Sequence, residues 1–241
     1  KREGPRYGDF YGYIAEGYFQ SEEEIKKSPR QMRELAPGDI KYKDLNDDGV
    51  IDANDQCYLG KSWFPSWSYG MGFNINYHNF DLALFFQGVS DVSIMANGGS
   101  IDTGNGDWGA SGVGIVPFTG MGLNPSNVIT KALDRWTADN PRADAWYPRM
   151  TANATTNDNN YVNSTHWLKD GSYLRLKQAS LGYTLENKKL MDKGIEYLYF
   201  YLSGQNLLTF SKFKLWDPEL GSNGAKYPLS RMVTLGMRVS F

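Results

Sequence analysis

Strict alternation of apolar and polar residues along several stretches is the feature that most limits how this chain can fold. The clearest stretch runs from Trp67 to Tyr77, where every second residue is apolar or aromatic and the residues between are Ser, Gly or Asn. Successive side chains of a β-strand point to opposite faces, so this stretch predicts a strand with one apolar and one polar face. The last residues, from Val233 to Phe241, alternate in the same way and end on an aromatic residue.

The same alternation predicts about six strands and the lengths of their connections. The strands are expected at residues 10–19, 67–77, 80–89, 173–185, 196–206 and 231–241. Residues 78–79 and 186–195 form short turns, whereas residues 20–64, 90–171 and 207–230 form long loops. A loop of about 80 residues is unusual in a compact soluble domain, but outer-membrane β-barrels combine short periplasmic turns with long extracellular loops. The pattern therefore favours an all-β fold, an antiparallel transmembrane β-barrel segment with its long loops outside the cell.

Composition narrows the class of protein in the same direction. The formal net charge of −2 gives no basic surplus for binding nucleic acid. Aromatic residues make up 15% of the chain, which favours β-structure with aromatic side chains at membrane interfaces. The single cysteine, Cys57, excludes an intrachain disulfide. The histidines, His78 and His166, have the spacing of neither a zinc site nor a catalytic triad, so the sequence does not predict an enzyme.

Residues 44–55 follow the pattern of a calcium-binding loop. Oxygen-bearing side chains alternate along it, glycine occupies the sixth position, where such loops turn sharply, and the eighth position is apolar. Calcium takes about six to eight oxygen ligands, and this spacing directs them towards one centre. The expected ligands are Asp44, Asn46, Asp48, the Val50 carbonyl, Asp52 and Asp55. Bound Ca²⁺ has a structural role in this hypothesis, fixing a long exposed loop; the alternative is an acidic surface turn without a metal.

Two short helices are expected within the long loops. Ser21 and Glu24 have the spacing of a capping box, which predicts a helix over residues 22–27. Pro125 is suited to a first helical turn and predicts a second helix over residues 128–136.

Four tryptophans lie in or beside the longest loop: Trp108, Trp136, Trp146 and Trp167. An exposed indole can stack on a sugar or a peptide, whereas a buried one packs the loop against the barrel rim or a partner. The sequence favours packing.

With these residues in view, the chain resembles the carboxy-terminal barrel portion of SusC-like (SusC/RagA family) TonB-dependent outer-membrane transporters of Bacteroidetes. The matching stretches occur in the family's order and span nearly the whole chain. They are PGDIKYKDLNDDGVIDANDQCYLG at residues 37–60, FDLALFFQG at 80–88, RWTADNP at 135–141, GSYLRLKQASLGYTL at 171–185, LSGQNLLTF at 202–210 and the terminal aromatic strand.

The resemblance implies that residues 1–241 are the carboxy-terminal part of a barrel of about 22 strands whose plug and amino-terminal strands are absent from this chain. It implies a multi-pass barrel in the lipid bilayer of the cell outer membrane, importing oligosaccharides or peptides with energy delivered by TonB through the missing plug region. It further implies a SusD-like surface lipoprotein as the partner that closes the barrel, and Phe241 as a genuine carboxyl terminus read by the assembly machinery.

A second hypothesis is a soluble, calcium-stabilised, β-rich module that binds carbohydrate. The apolar face between Trp67 and Tyr77 separates the two. In a transporter this face meets lipid, whereas in a soluble module it is buried against a second sheet.

Overall fold

The computed structural model describes residues 7–97, 130–150, 159–222, 224 and 227–241. They fall into two compact units. The sheet unit consists of Pro65–Asp91, Gly171–Lys214 and Tyr227–Phe241, and the loop unit consists of Lys1–Phe64, Val92–Asp170 and Leu215–Lys226. Within the described residues, no helix is both long and apolar enough to cross a membrane.

Most of the regular structure in the described residues is β-strand. The strands are β1 (Asp9–Gly12), β2 (Ala15–Tyr18), β3 (Ile40–Tyr42), β4 (Cys57–Ser62), β5 (Trp67–Tyr77), β6 (Phe80–Ser90), β7 (Ser93–Met95), β8 (Leu168–Asp170), β9 (Tyr173–Leu185), β10 (Tyr197–Ser211) and β11 (Met232–Ser240). The helical segments are α1 (Glu22–Lys27), α2 (Lys188–Met191) and the 3₁₀ turns Ala53–Asp55, Thr130–Leu133 and Pro218–Leu220.

The sheet unit is one antiparallel sheet with the strand order β11-β10-β9-β6-β5. The predicted turn at residues 78–79 joins β5 to β6, and His78 adopts a φ of 51° there. Residues directly opposite each other on neighbouring strands share a face, so all side chains of one row across the sheet lie on the same face. One row consists of Tyr77, Phe80, Tyr183, Phe200 and Met237. The adjacent row, on the other face, consists of Asn76, Asp81, Gly182, Tyr201 and Gly236.

One face of the sheet is apolar over all five strands and is not covered by the rest of the described chain. Every residue of β5 is exposed, with Trp67 at 70% and Ile75 at 54%. Exposed apolar residues of the same face on the other strands are Phe80, Leu181, Phe200, Leu202, Leu208, Phe210, Val233, Leu235 and Met237. The pattern predicted for these five strands is therefore confirmed, and the apolar side of the sheet is exposed rather than buried in a core.

The opposite face of the sheet is polar, and its large side chains lie over glycines. Tyr199 on β10 reaches across Gly182 on β9 and donates a hydrogen bond to Asp81 on β6, with 2.9 Å between Oη and Oδ2. The ring of Tyr201 covers Gly236 on β11 in the same way. A Cβ atom at either glycine would overlap the tyrosine above it, so glycine is what lets both rings lie along the sheet.

The loop unit has an aromatic core assembled from residues that are distant in sequence. Tyr42, Tyr147 and Trp167 are fully buried, and Trp167 packs against both Trp146 and Tyr147 with ring centroids 5.4 and 5.7 Å apart. Three small sheets, β1–β4, β2–β3 and β7–β8, belong to this unit. The long loops therefore carry a core of their own, which the sequence pattern did not predict.

A buried polar network joins β3 to residues 159–160. The Ile40 N–H donates to Asn160 Oδ1 over 2.9 Å, and the Ile40 carbonyl accepts from Asn159 Nδ2 over 3.0 Å and from Gln31 Nε2 over 2.8 Å. The Tyr42 N–H donates to Gln31 Oε1 over 2.7 Å. Amide side chains thus satisfy the backbone groups of β3 that β2 leaves free, as burial requires.

The single strand predicted over residues 10–19 is wrong, because the structure has two strands there. The backbone of Tyr13 breaks the run: its N–H donates to the Asn163 carbonyl over 2.9 Å, and its carbonyl accepts from the Thr165 N–H over 3.0 Å. Pairing with a segment about 150 residues away therefore competes with continuation of the strand.

The helix predicted over residues 22–27 is confirmed as α1. Ser21 accepts from the Glu24 N–H over 3.2 Å, and the Glu24 carboxylate accepts from the Gln20 N–H over 2.9 Å, one residue earlier than a standard capping box.

The helix predicted over residues 128–136 is wrong in its described part, where the helical segment is the 3₁₀ turn Thr130–Leu133. The Trp136 N–H donates to the Tyr147 carbonyl and the Tyr147 N–H donates to the Asp134 carbonyl, so these groups are not free for helical bonds. Residues 128–129 lie outside the described part.

Candidate functional site

The loop over residues 44–55 is tightly organised by its own side chains. Asp44 Oδ2 accepts from the Gly49 N–H over 2.8 Å, and Asp48 Oδ1 accepts from the Val50 N–H over 2.8 Å. Asn46 Oδ1 accepts from the Asp48 N–H over 3.1 Å. Gly49 has a φ of 81°, which is the left-handed conformation that the sixth position of such a loop favours.

The end of this loop is anchored in the loop unit. Asp55 is fully buried, and its two carboxylate oxygens accept from the backbone N–H groups of Leu45 and Asp52, each over 2.8 Å. Ile51 is buried in the aromatic core, and its N–H donates to the Arg30 carbonyl over 2.8 Å. The loop is therefore part of the folded unit rather than a free surface turn.

The predicted calcium ligands are present, but their carboxylates are mostly committed to backbone N–H groups. Among the described residues, no three His, Cys, Asp or Glu side chains converge in a way that could hold a metal ion. One atom is compatible with a bound metal ion: Asp44 Oδ1 is buried and has no hydrogen-bond partner in the structure. Calcium at Asp44, Asn46, Asp48, Val50, Asp52 and Asp55 stays a prediction that requires the side chains to turn towards a common centre.

The polar face of the sheet has a charged cluster near the 78–79 turn. Asp81 and Tyr199 are hydrogen-bonded across β9, and the Arg238 guanidinium lies 5.9 Å from the centre of the Tyr199 ring. The rings of Tyr199 and Tyr201 are stacked with centroids 5.9 Å apart. Charged and hydroxyl groups therefore contact one another on this face near the turn, in contrast to the apolar face behind it.

The tryptophans of the longest loop pack inside the loop unit. Trp167 is fully buried and donates Nε1–H to the Asn160 carbonyl over 2.7 Å, and Trp136 is buried in the same core. Trp146 is half-buried against it. Burial rather than exposure is therefore confirmed for these three residues, but they pack within the loop unit's own core, and packing against a barrel rim or a partner stays a prediction. Trp108 lies outside the described part.

His166 is enclosed by this core. Its ring lies edge-on to Trp167 with centroids 4.7 Å apart, and Nε2 lies 3.2 Å from the Trp146 carbonyl and 3.3 Å from the Tyr18 hydroxyl. Burial, reinforced by the nearby Lys169 ammonium, lowers the pKa of His166 to about 4. The imidazole is therefore neutral at physiological pH and has a structural role.

Two features were not predicted from the sequence. Asp39 is fully buried and forms an ion pair with Arg149, with 2.6 Å between Oδ1 and Nε. Tyr7, Trp63 and Phe64 form an exposed group of aromatic rings. The ion pair and the contacts of Tyr7 with the other two rings join residues more than 50 positions apart and belong to no local periodicity.

Comparison with known proteins gives the relatives of the chain. No family model matches it. It is 28% identical to TonB-dependent receptor P3 of Formosa agariphila over 100% of this chain and 23% of the receptor, and 30% identical to TonB-dependent receptor P26 of the same organism over 96% of this chain and 22% of the receptor. The chain is homologous to TonB-dependent receptors. It spans about a quarter or less of the length of these TonB-dependent receptors.

Solved structures show the same fold. The RagAB peptide transporter matches with a TM-score of 0.63 at 23% identity over 97% of this chain and 22% of that chain. The 'closed-closed' state of the RagAB peptide importer matches with a TM-score of 0.62 at 24% identity over 97% and 23% of the two chains. The predicted resemblance and fold class are confirmed: the relatives are TonB-dependent receptors, and the chain has the fold of part of the barrel in the RagAB structures.

Proposed function

We propose that this chain forms part of the wall of a TonB-dependent importer in the cell outer membrane, not part of an enzyme. The observation that carries the proposal is the exposed apolar face of the sheet opposite a polar face. Fully burying one large apolar side chain is worth about 1.5–3 kcal/mol, so exposing this face to water is costly, and contact with lipid removes that cost. The polar face then lines the lumen of the barrel and faces the plug.

The length of β5 supports the same orientation. Its 11 residues extend over about 37 Å at about 3.4 Å per residue. With the tilt of about 40° found in outer-membrane barrels, they cover about 28 Å along the membrane normal, close to the apolar band of about 25 Å. Trp67 and Tyr77 then lie at the two interfaces, where aromatic side chains are favoured.

The soluble-module hypothesis predicts that the face from Trp67 to Tyr77 is buried against a second sheet. These residues are all exposed in the described chain, so this observation favours the importer.

The cargo and partners are inferred from relatives. The RagAB structures are described as those of a peptide importer, which supports peptide import, and oligosaccharide import stays the other candidate. A SusD-like surface lipoprotein is the expected partner at the extracellular side, and TonB would act through a plug outside this chain.

We also propose a structural Ca²⁺ at residues 44–55. The motif spacing and the unpartnered Asp44 Oδ1 support it, and the burial of Ile51 and Asp55 would transmit the effect of the ion to the core of the loop unit. Calorimetric titration of the protein with Ca²⁺ tests this proposal.

The orientation of the sheet is tested by spin labels on adjacent residues of β6. Leu84→Cys reports the apolar face and Ala83→Cys the polar face, each in a Cys57→Ser background of the full-length protein in phosphatidylethanolamine–phosphatidylglycerol vesicles. We expect the label at 84 to collide mainly with oxygen, which concentrates in hydrocarbon, and the label at 83 mainly with a water-soluble nickel chelate. Equal accessibility to the nickel chelate at both positions overturns the proposal.

Import is tested separately by uptake of labelled peptides or oligosaccharides into cells. We expect uptake to stop when TonB is deleted or the proton gradient is collapsed. Uptake that continues without TonB contradicts a TonB-dependent importer.

A further inference from the structure

Three aromatic side chains of the loop unit form an exposed cluster, called here the aromatic cluster: Tyr7, Trp63 and Phe64. The rings of Trp63 and Phe64 are stacked with centroids 4.1 Å apart, and the Tyr7 ring lies 5.6 Å from Phe64 and 6.3 Å from Trp63. Tyr7 is 85% exposed, Trp63 48% and Phe64 42%. The three rings thus contact one another while a large part of each is left uncovered.

Hydrogen bonds tie two residues of the aromatic cluster, Trp63 and Phe64, to the neighbouring backbone and to Ser62. The Trp63 N–H donates to the Gly8 carbonyl over 3.0 Å, and the Ser62 hydroxyl donates to the same carbonyl over 3.1 Å and accepts from the Phe64 N–H over 3.0 Å. Gly8 has a φ of 95°, and a Cβ atom there would lie 2.5 Å from Phe64 Cδ2. A left-handed glycine is therefore needed for the rings to pack onto the backbone at this point.

Three exposed aromatic rings in mutual contact are suited to the boundary between hydrocarbon and water. Tyrosine and tryptophan have an apolar body and a polar tip, and they concentrate where hydrocarbon meets lipid headgroups. Exposing the apolar surface of the rings to water costs free energy, since burial is worth about 25 cal/mol per Å² of apolar surface. The lipid headgroup layer covers the rings and leaves the tyrosine hydroxyl and the indole N–H in contact with polar groups.

The covalent chain limits where the aromatic cluster can lie. Three peptide units join Phe64 to Trp67, so their Cα atoms are at most about 11 Å apart. Trp67 begins β5 at the end opposite the 78–79 turn, where the apolar face reaches its outer edge. If β5 spans the hydrocarbon, the residues immediately before it leave the hydrocarbon at the extracellular side.

We propose that the aromatic cluster binds the lipid headgroup layer of the outer leaflet and anchors the loop unit to the membrane surface. This inference rests on the proposed function, because it takes the sheet to lie in the membrane. The inference adds a second contact with lipid, made by the loop unit through Tyr7, Trp63 and Phe64, to the one proposed for the sheet.

The test is a measurement of depth with nitroxide spin labels at Tyr7→Cys and Phe64→Cys, in a Cys57→Ser background of the full-length protein in phosphatidylethanolamine–phosphatidylglycerol vesicles. Tyr7→Cys leaves the Trp63–Phe64 stack intact, so it reports even if the label at 64 disturbs the cluster. Leu133→Cys, at an exposed apolar residue of the same unit, is the matched control, and Phe73→Cys reports the apolar face of the sheet.

We expect the ratio of oxygen to nickel-chelate accessibility at 7 and 64 to fall between the high value at 73 and the low value at 133. Values at 7 and 64 equal to that at 133, with a high value at 73, overturn the headgroup contact and leave the proposed function standing. A low value at 73 as well overturns both. Labels at 7 and 64 that lose nickel accessibility only when a soluble glycan or a protein partner is added also overturn the membrane assignment.

Discussion

The ion pair between Asp39 and Arg149 gives the sharpest prediction for the loop unit. Asp39 is fully buried, and its carboxylate accepts from Arg149 Nη2 over 3.0 Å, from Asn160 Nδ2 over 2.8 Å and from the Ala36 N–H over 2.8 Å. Asp39→Ala removes all of these acceptors at once. It leaves a guanidinium, an amide and a backbone N–H without their partner.

The expected loss follows from the burial of the two partners. Removing one member of a buried ion pair costs about 3–5 kcal/mol, because the other charge stays buried and unpaired. The Arg149 side chain keeps 22% exposure and can be partly hydrated, so the expected loss is about 3 kcal/mol, at the lower end of this range. Since about 1.4 kcal/mol is a factor of ten, the opening constant of the loop unit should rise by about 150-fold.

Hydrogen exchange of backbone amides measures this opening directly. The Ile40 and Tyr42 amides donate to the buried Asn160 and Gln31 side chains, so peptides covering β3 report the opening of this region. Asp144→Ala is the matched control, because Asp144 is 83% exposed and lies 4.0 Å from Arg142 in a surface pair that contributes at most about 1 kcal/mol.

An intermediate variant separates the loss of charge from the loss of acceptors. Asp39→Asn keeps one acceptor oxygen and should cost about 2 kcal/mol, since hydrogen bonds to charged groups are worth about 1.5–3 kcal/mol. If Asp39→Ala changes exchange at Ile40 and Tyr42 by less than about fivefold, the network does not stabilise the loop unit and the reasoning from burial is wrong.

Three further predictions concern the metal loop, His166 and the glycines of the polar face. Asp48→Ala should abolish Ca²⁺ binding in calorimetry and remove calcium-dependent exchange protection in residues 20–64, and unchanged affinity would contradict the ligand assignment. Because burial lowers the pKa of His166 to about 4 from about 6.5, the unfolded chain takes up the proton first as pH falls. The free energy of unfolding of the loop unit should therefore be at its full value above pH 6.5 and decrease by up to about 3 kcal/mol towards pH 4. Comparing the pH dependence of hydrogen exchange with that of His166→Gln isolates this contribution. Gly182→Val should lower the temperature at which the protein loses its compact electrophoretic mobility, corresponding to about 1–3 kcal/mol of overpacking, whereas Gly72→Ala, whose added Cβ would make contacts of 3.7 Å and longer, should not. Partial restoration by Tyr199→Ala identifies the tyrosine as one of the two groups that the new side chain overlaps, the other being the Asp81 carboxylate.

The sheet could be predicted from the sequence because its signal is local. Whether a residue of β5 belongs to the apolar or the polar face depends only on whether its position is odd or even, and the register of β5 and β6 follows from the tight turn at 78–79. The row from Tyr77 to Met237 is apolar for the same reason on each of its five strands.

The loop unit could not be predicted because its contacts are long-range. The Ile40 amide pairs with a side chain 120 positions away, and Tyr13 pairs with a segment 150 positions away, so neither leaves a periodic trace. The calcium motif identifies residue types but not their partners: Asp55, expected as a ligand, uses both oxygens to accept from the Leu45 and Asp52 amides. Sequence spacing describes which groups are available, whereas the surrounding backbone decides which of them are already bonded.

The tyrosine rings that lie over Gly182 and Gly236 have a consequence for how this chain can change during evolution. A residue larger than glycine at position 236 is compatible only with a smaller side chain at 201, because the two occupy the same space. Positions 201 and 236 should therefore vary together among related sequences, with a bulky residue on one strand matched by a small one on its neighbour. In the proposed importer, the pore would then keep its width while the chemistry of its wall changes.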